Sequence, residues 1–132
     1  SGEEREELMR KGLLADTFLT SSNAVTADGQ LFNIDGNGNR VAAFCYGPKQ
    51  VIVVAGMNKV VPDMDAAYSR VRGYTAPGVV QRFPAAKTPC NVTGLCADCM
   101  SPDSCCCHFV HTRLCRPAKR IKVVLVGEDL GL

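Results

Sequence analysis

Six of the chain's eight cysteines fall between Cys90 and Cys107, in the stretch CNVTGLCADCMSPDSCCC. Cys90, Cys96, Cys99 and Cys106 follow the spacing C-x5-C-x2-C-x6-C among turn-forming residues such as Pro89, Gly94, Pro102 and Asp103. A C-x2-C pair in a tight turn presents two thiolates to one metal, and two flanking cysteines complete four-coordination. Zinc and a four-iron, four-sulfur cluster both accept four thiolates, so spacing points to a metal or cluster without choosing between them. The surplus thiols Cys105 and Cys107 favour iron-sulfur or thiol redox chemistry. Other readings stand beside this one. An even cysteine count permits disulfides, and Cys105-Cys106-Cys107 could instead be an oxidation-prone cluster. Cys45, on an apolar run, is expected to be a buried small hydrophobe. Cys115, between Arg113 and Arg116, has an electropositive setting that suits a reactive thiol or simply a solvated loop. His108 and His111 are near enough to replace a cysteine as ligands, and otherwise read as surface histidines.

A second chemical stretch is Asn33-Ile34-Asp35-Gly36-Asn37-Gly38-Asn39-Arg40. Its glycines and asparagines tolerate positive φ, and Val41, Phe44 and Cys45 then follow at i, i+3, i+4, ending at Gly47-Pro48. A glycine loop opening a helix offers backbone N–H groups to a phosphate or carboxylate, and Arg40 could add charge. The same residues are equally read as a tight turn, since neither the dinucleotide fingerprint nor the P-loop is matched. Asn58 and Lys59 make a third candidate pair. They follow the β-branched run Val51 to Ala55, and ligands of open α/β sheets bind beyond the carboxyl ends of strands.

The elements that must position these groups read as follows. Glu3 to Leu14 is expected to be a helix with a solvated face, Glu6/Arg10 and Glu7/Lys11 standing at i, i+4. Ala15 to Thr20 is a strand, and the Asp28-Gly29 turn joins a short hairpin. Val51 to Ala55 has the pattern of a strand buried on both faces of a parallel sheet. Met64, Ala67, Tyr68 and Val71 mark a core-packing helix from Pro62 to Gly73, with an irregular passage from Ala76 to Ala86. Arg113 to Lys122 is a basic run read as a solvated connection, and Ile121 to Val126 is the last strand. These give an α/β fold with a Rossmann-like, mostly parallel sheet and flanking helices, one domain over residues 1–132 with a cysteine-rich loop at 88–116.

Composition sets outer bounds. A 132-residue chain with 46% hydrophobic residues can bury a core of its own. A net charge of +2 does not suggest nucleic acid, and no apolar run reaches membrane-spanning length. No targeting pattern is visible, so a cytoplasmic protein is expected. The opening Ser-Gly without methionine reads as a fragment, a processed product or the scar of a tag.

The residues also carry a resemblance. The run ADTFLTSSNAVTADGQLFNIDGNGNRVAAFCYGPKQVIVVAGMNKVVPDMDAA, then KTPCNVTGLCADCMSP and the closing RIKVVLVGEDLGL, is similar to the lactate-utilisation (LUD) domain family of the LutC and YkgG type. The resemblance implies the C-terminal part of that domain and a fold related to the sugar-isomerase and coenzyme A transferase-like group. It implies that N-A-V-T-x-D-G-x-L, with Asn23 and Asp28, and D-G-x-G-N-R, with Asp35, Gly36, Gly38, Asn39 and Arg40, lie by the cleft. The familial fourth cysteine falls on Cys106, and Cys105, Cys107 and Cys115 depart from the pattern. The implied function is an accessory or subunit domain of an L-lactate oxidation system. It would bind a small anionic ligand through Asn23, Asp28, Asn33, Asp35, Gly36, Gly38, Asn39, Arg40, Asn58 and Lys59, and work with iron-sulfur redox partner subunits. Two alternatives stay open, a coenzyme A transferase or isomerase-like enzyme and a zinc-stabilised interaction module. No catalytic constellation can be assigned, Asp28, Asp35 and Glu128 being equally explained by turns and helix ends. An open sheet edge makes a homodimer a further expectation.

Overall fold

A computed structural model describes residues 1–132. Its centre is the β-branched run, which forms β4 (Gln50–Gly56) between β1 (Thr17–Thr20) and β7 (Ile121–Val126) in a three-stranded parallel sheet. Val51, Val53 and Ala55 point to one face and are fully buried there. They pack with Phe44 of α2 (Asn39–Cys45) and with Val25 and Leu31 of β2 (Ala24–Thr26) and β3 (Leu31–Asp35). The expectation of burial on both faces does not hold. Ile52 and Val54 are only half-buried, and Leu19 and Val124 beside them are exposed, because no helix covers that side.

The largest departure from the expected single sheet is a second one, ordered β5-β2-β3-β6, with β5 at Val60–Val61 and β6 at His108–Thr112. β2 and β3 form the antiparallel hairpin foreseen from Asp28-Gly29, and β6 extends it by pairing antiparallel along the whole of β3. Ala24 and Phe32 of this sheet pack against Ala67 and Val71 on the helix that follows β5. That helix begins as α3 (Met64–Arg70), capped by Asp63, whose carboxylate accepts from the Ala66 N–H. It does not stop at Gly73. A π-turn over Val71–Thr75 carries it into α4 (Ala76–Val80). α5 (Pro89–Thr93) is a single turn inside the cysteine-rich stretch, with Gly94 in the left-handed conformation at its end.

Two charged segments resolve differently from each other. α1 (Gly2–Gly12) buries no residue and is held by a Ser1/Glu4 capping box and the expected Glu6/Arg10 and Glu7/Lys11 pairs. Such pairs contribute roughly 0.2–0.5 kcal/mol each. Arg120, by contrast, is not part of a solvated run. Its guanidinium donates to the carbonyls of Ala43, Phe44 and Pro48 at 2.6, 3.0 and 2.9 Å, closing the C-terminal end of α2 where a cation also meets the helix dipole. No helix is long and apolar enough to cross a membrane.

Candidate functional site

At the C-terminal end of β4 the chain makes a 3-10 turn over Met57–Lys59. Gly56 is required there, because a Cβ would collide with Asn58 Oδ1, the Glu128 carbonyl and the Leu130 N–H. Asn58 fastens the chain's closing segment by accepting from the Leu130 N–H at 3.0 Å and donating to the Gly131 carbonyl at 3.2 Å. Lys59 turns the other way, into a cleft of about 800 Å³.

Five of the ten ligand-binding candidates line this cleft: Asn23, Asp35, Gly36, Arg40 and Lys59. Asp28 does not. Its carboxylate accepts from Thr26 Oγ1 and Gln30 Nε2 within the hairpin turn, and these hydrogen bonds hold its pKa below the usual carboxylate range. Asn33 lies buried behind the wall, while Gly38 caps α2 with positive φ against the ring of His108. Asn39 and Asn58 also fall outside the lining.

The residues of the two glycine and asparagine motifs bind one another. Arg40 donates to Asp35 Oδ1 at 2.8 Å, to Asn33 Oδ1 at 2.7 Å, to Asn23 Oδ1 at 3.0 Å and to the carbonyls of Ser21 and Ile34. The second Asp35 oxygen accepts from the Val41 N–H at 2.8 Å, so the start of α2 already carries a carboxylate from its own chain. Asn23 and Asn33 exchange further bonds with backbone N–H groups at 2.9 Å. This knot ties β2, β3 and α2 together and leaves Arg40 little to offer a ligand.

The opposite holds for Lys59 and Arg70. Lys59 is 7% exposed, donates to Ser21 Oγ at 3.1 Å, and takes part in none of the chain's ion pairs. Burial, and then the charges of Arg70 and Arg40, push its pKa down from the ordinary lysine value. Arg70 donates to Thr75 Oγ1 at 2.6 Å and to the Asn58 and Asn23 carbonyls, again with no carboxylate partner, and burial lowers its pKa too. Of the two only Lys59 lines the cleft, where Arg82 stands on the same wall and also takes part in no ion pair. A poorly solvated cation without a counterion favours an anion beside it, because pairing offsets the desolvation of charge.

On the other side of the same helix lies the cysteine cavity. Cys90, Cys96, Cys99 and Cys106 all line one small space of about 20 Å³, together with Cys105, Thr88 and Arg72. Arg72 donates to Asp98 Oδ1 at 2.6 Å and to Cys96 Sγ at 3.3 Å, and lies over the rings of Tyr68 and Phe109. Its Nε is buried without a partner. The Asp98 N–H, and then Arg72, lower the Cys96 pKa, whereas burial raises those of Cys105 and Cys106. All eight cysteines are free thiols. The thiols face one cavity without converging, no group of three or more Cys, His, Asp or Glu donors being gathered closely enough to hold a metal ion. Four soft thiol donors with a half-buried cation beside them suit zinc or an iron-sulfur cluster chemically, and coordination would draw the stretch from Cys90 to Cys106 inward. That stretch is clamped at its neck, where the Lys87 N–H donates to Asp103 and Ser101 Oγ donates to the Lys87 carbonyl.

The two spaces adjoin. Ser104 and Cys105 line both, and the helix from Met64 to Val80 separates them, turning Thr75 and Val79 to the cleft and Arg72 and Val80 to the thiols. The π-turn sits at this partition, as π-turns commonly do at functional sites. Arg70, Arg72, Thr75 and Ser21 carry no local motif, and only the i, i+2 pair of arginines before Gly73 hints at two differently directed charges. Cys45 is exposed at the end of α2 rather than buried, and Cys115 lies outside the cavity, its Sγ accepting from the Ile121 N–H and donating to the Pro117 carbonyl. His111 Nε2 bonds Gln30 Oε1 across β6 and β3, and neither histidine lines the thiol cavity.

A model of the LUD domain family matches residues 1–126. No curated protein and no solved structure matches the chain.

Proposed function

The chain belongs to the LUD domain family, which ties it to lactate utilisation, and we propose that within that setting it is an accessory or subunit domain of an organic-acid oxidation system. A small carboxylate such as L-lactate occupies the cleft beside Arg82 and Lys59. A metal or iron-sulfur centre sits at Cys90, Cys96, Cys99 and Cys106, with Arg72 alongside. A cluster there would supply one-electron transfer, and zinc would supply structure alone.

The observation that carries this reading is the shared wall. The four cysteines singled out by spacing line a single cavity, and that cavity shares Ser104 and Cys105 with the cleft holding Lys59 and Arg82. This chain's own residues bind and orient: Arg82 takes the carboxylate, Ser21 holds the Lys59 amine, and Arg72 balances the charge that thiolates bring. Thiols kept available for a centre require a reducing compartment, so we place the protein in the cytoplasm with iron-sulfur partner subunits.

Anaerobic purification followed by assay of metal and acid-labile sulfide tests the proposal. Iron and sulfide in matching amounts, lost together in the Cys96→Ser, Cys99→Ser double variant, are expected. Zinc in the same thiols would make the centre structural, and metal content unchanged by the double variant would remove the centre from this cavity.

A further inference from the structure

We infer that Lys59 is an amine nucleophile that captures a 2-oxo acid in the cleft as a covalent imine. The inference rests on the reading of the cleft as a carboxylate site and adds a bond-forming residue to it. Lys59 projects from the 3-10 turn at the carboxyl end of β4, almost wholly buried yet on the cleft wall. Its one hydrogen-bond partner is the Ser21 hydroxyl at 3.1 Å, and the space by its Nζ is kept open by Gly131, whose missing Cβ would stand 3.4 Å from that nitrogen.

The groups that face it explain why it should react rather than pair. Arg40 and Arg70 are the neighbouring cations. Of the two carboxylates on the cleft wall, Asp35 is held by Arg40 and the Val41 N–H, and Asp103 accepts from the Lys87 N–H. Neither is paired with the amine. Burial and the two arginines favour its neutral form, in which the nitrogen lone pair is free. Arg82 lines the same cleft and is in none of the chain's ion pairs, so a 2-oxo acid can set its carboxylate on Arg82 and its carbonyl carbon toward Lys59.

The chemistry balances without an added oxidant or reductant. The lone pair attacks the carbonyl carbon and a C–N bond forms, while the proton leaving nitrogen passes to the former carbonyl oxygen, giving a carbinolamine. Expulsion of that oxygen as water leaves the imine. Ser21 Oγ, in hydrogen bond with Nζ, is placed to relay the proton. A 2-hydroxy acid has no carbonyl and would occupy the same cleft without a covalent bond.

The test is hydride trapping on the full chain. Pyruvate or glyoxylate is added with cyanoborohydride, and the product is located by intact mass and peptide mapping, with L-lactate and oxalate as non-reacting competitors. The expected result is one adduct per chain, at Lys59, suppressed by oxalate and absent in Lys59→Arg. Adducts spread over exposed lysines such as Lys49 and Lys122, or an unmodified Lys59 in the wild-type chain, would overturn the inference, and the wild-type mapping holds even if the variant folds poorly. A rise in melting temperature with oxalate but no trapping would retain the carboxylate site and remove only the nucleophile. No thermal response to oxalate or lactate, with Lys59 still trapped, would instead count against the carboxylate site alone.

Discussion

Two basic groups face the same cleft and differ in how completely they are satisfied. Arg40 spends its guanidinium on Asp35, Asn23, Asn33 and two backbone carbonyls, whereas Lys59 has the Ser21 hydroxyl alone and Arg82 stands on the same wall in none of the ion pairs. Both settings began as polar residues near turns. The difference teaches that a charged motif can be a structural tie, and that the neighbouring cation with an incomplete partner set is the better candidate for binding. The Asp35–Arg40 segment holds the hairpin to α2, and the wall with Lys59 and Arg82 waits for an anion.

If that contrast is right, the largest effect on stability comes from the knot. Asp35→Ala strands Arg40 among partly buried amides, and should cost about 3 kcal/mol, read as a lower urea midpoint with unchanged m. A loss as small as that of a surface pair would dissolve the contrast. Arg72→Gln sharpens it on the other side of the helix. It removes the cation next to Cys96, and metal affinity at the thiols should fall roughly 10–100-fold, by competition with a chelator, while the fold persists.

The smallest effect is on pH dependence. Lys59 has a folded pKa below its unfolded one, so in the window between them the unfolded chain binds more protons and stability rises with pH. Below that window the charged amine is a constant cost. Lys59→Met should flatten this rise in unfolding free energy on the alkaline side, and an unchanged slope would show that Lys59 is not the group responsible.

Much of the fold could be read from local pattern. The β-branched run gave β4, Asp28-Gly29 gave the hairpin, and the closing apolar run gave β7, because burial, turn geometry and strand propensity agreed over those residues. β6 escaped notice because His108 to Thr112 alternates weakly and follows three cysteines, its pairing being decided by β3 at the far end of the hairpin. The helix running past Gly73 was hidden by a residue that usually stops helices and here lies within a π-turn.

The site divides along the same line. Spacing alone gathered four of the five cysteines that line the cavity, since sequence neighbours in one loop are bound to lie near each other. Arg70, Arg72 and Arg120 were not legible, because each derives its role from partners distant in the chain: Asn23 for the first, Cys96 and Asp98 for the second, the end of α2 for the third.

The most direct measurement is calorimetric titration of oxalate and L-lactate into the wild-type chain and into Arg82→Gln, with urea stability recorded for both. Loss of a charge-assisted contact is worth about 1.5–3 kcal/mol, so affinity should drop roughly 10–100-fold in Arg82→Gln while stability stays level. Equal affinity in the two chains would contradict the account, because the cation left without a carboxylate by the fold would then have no part in binding one.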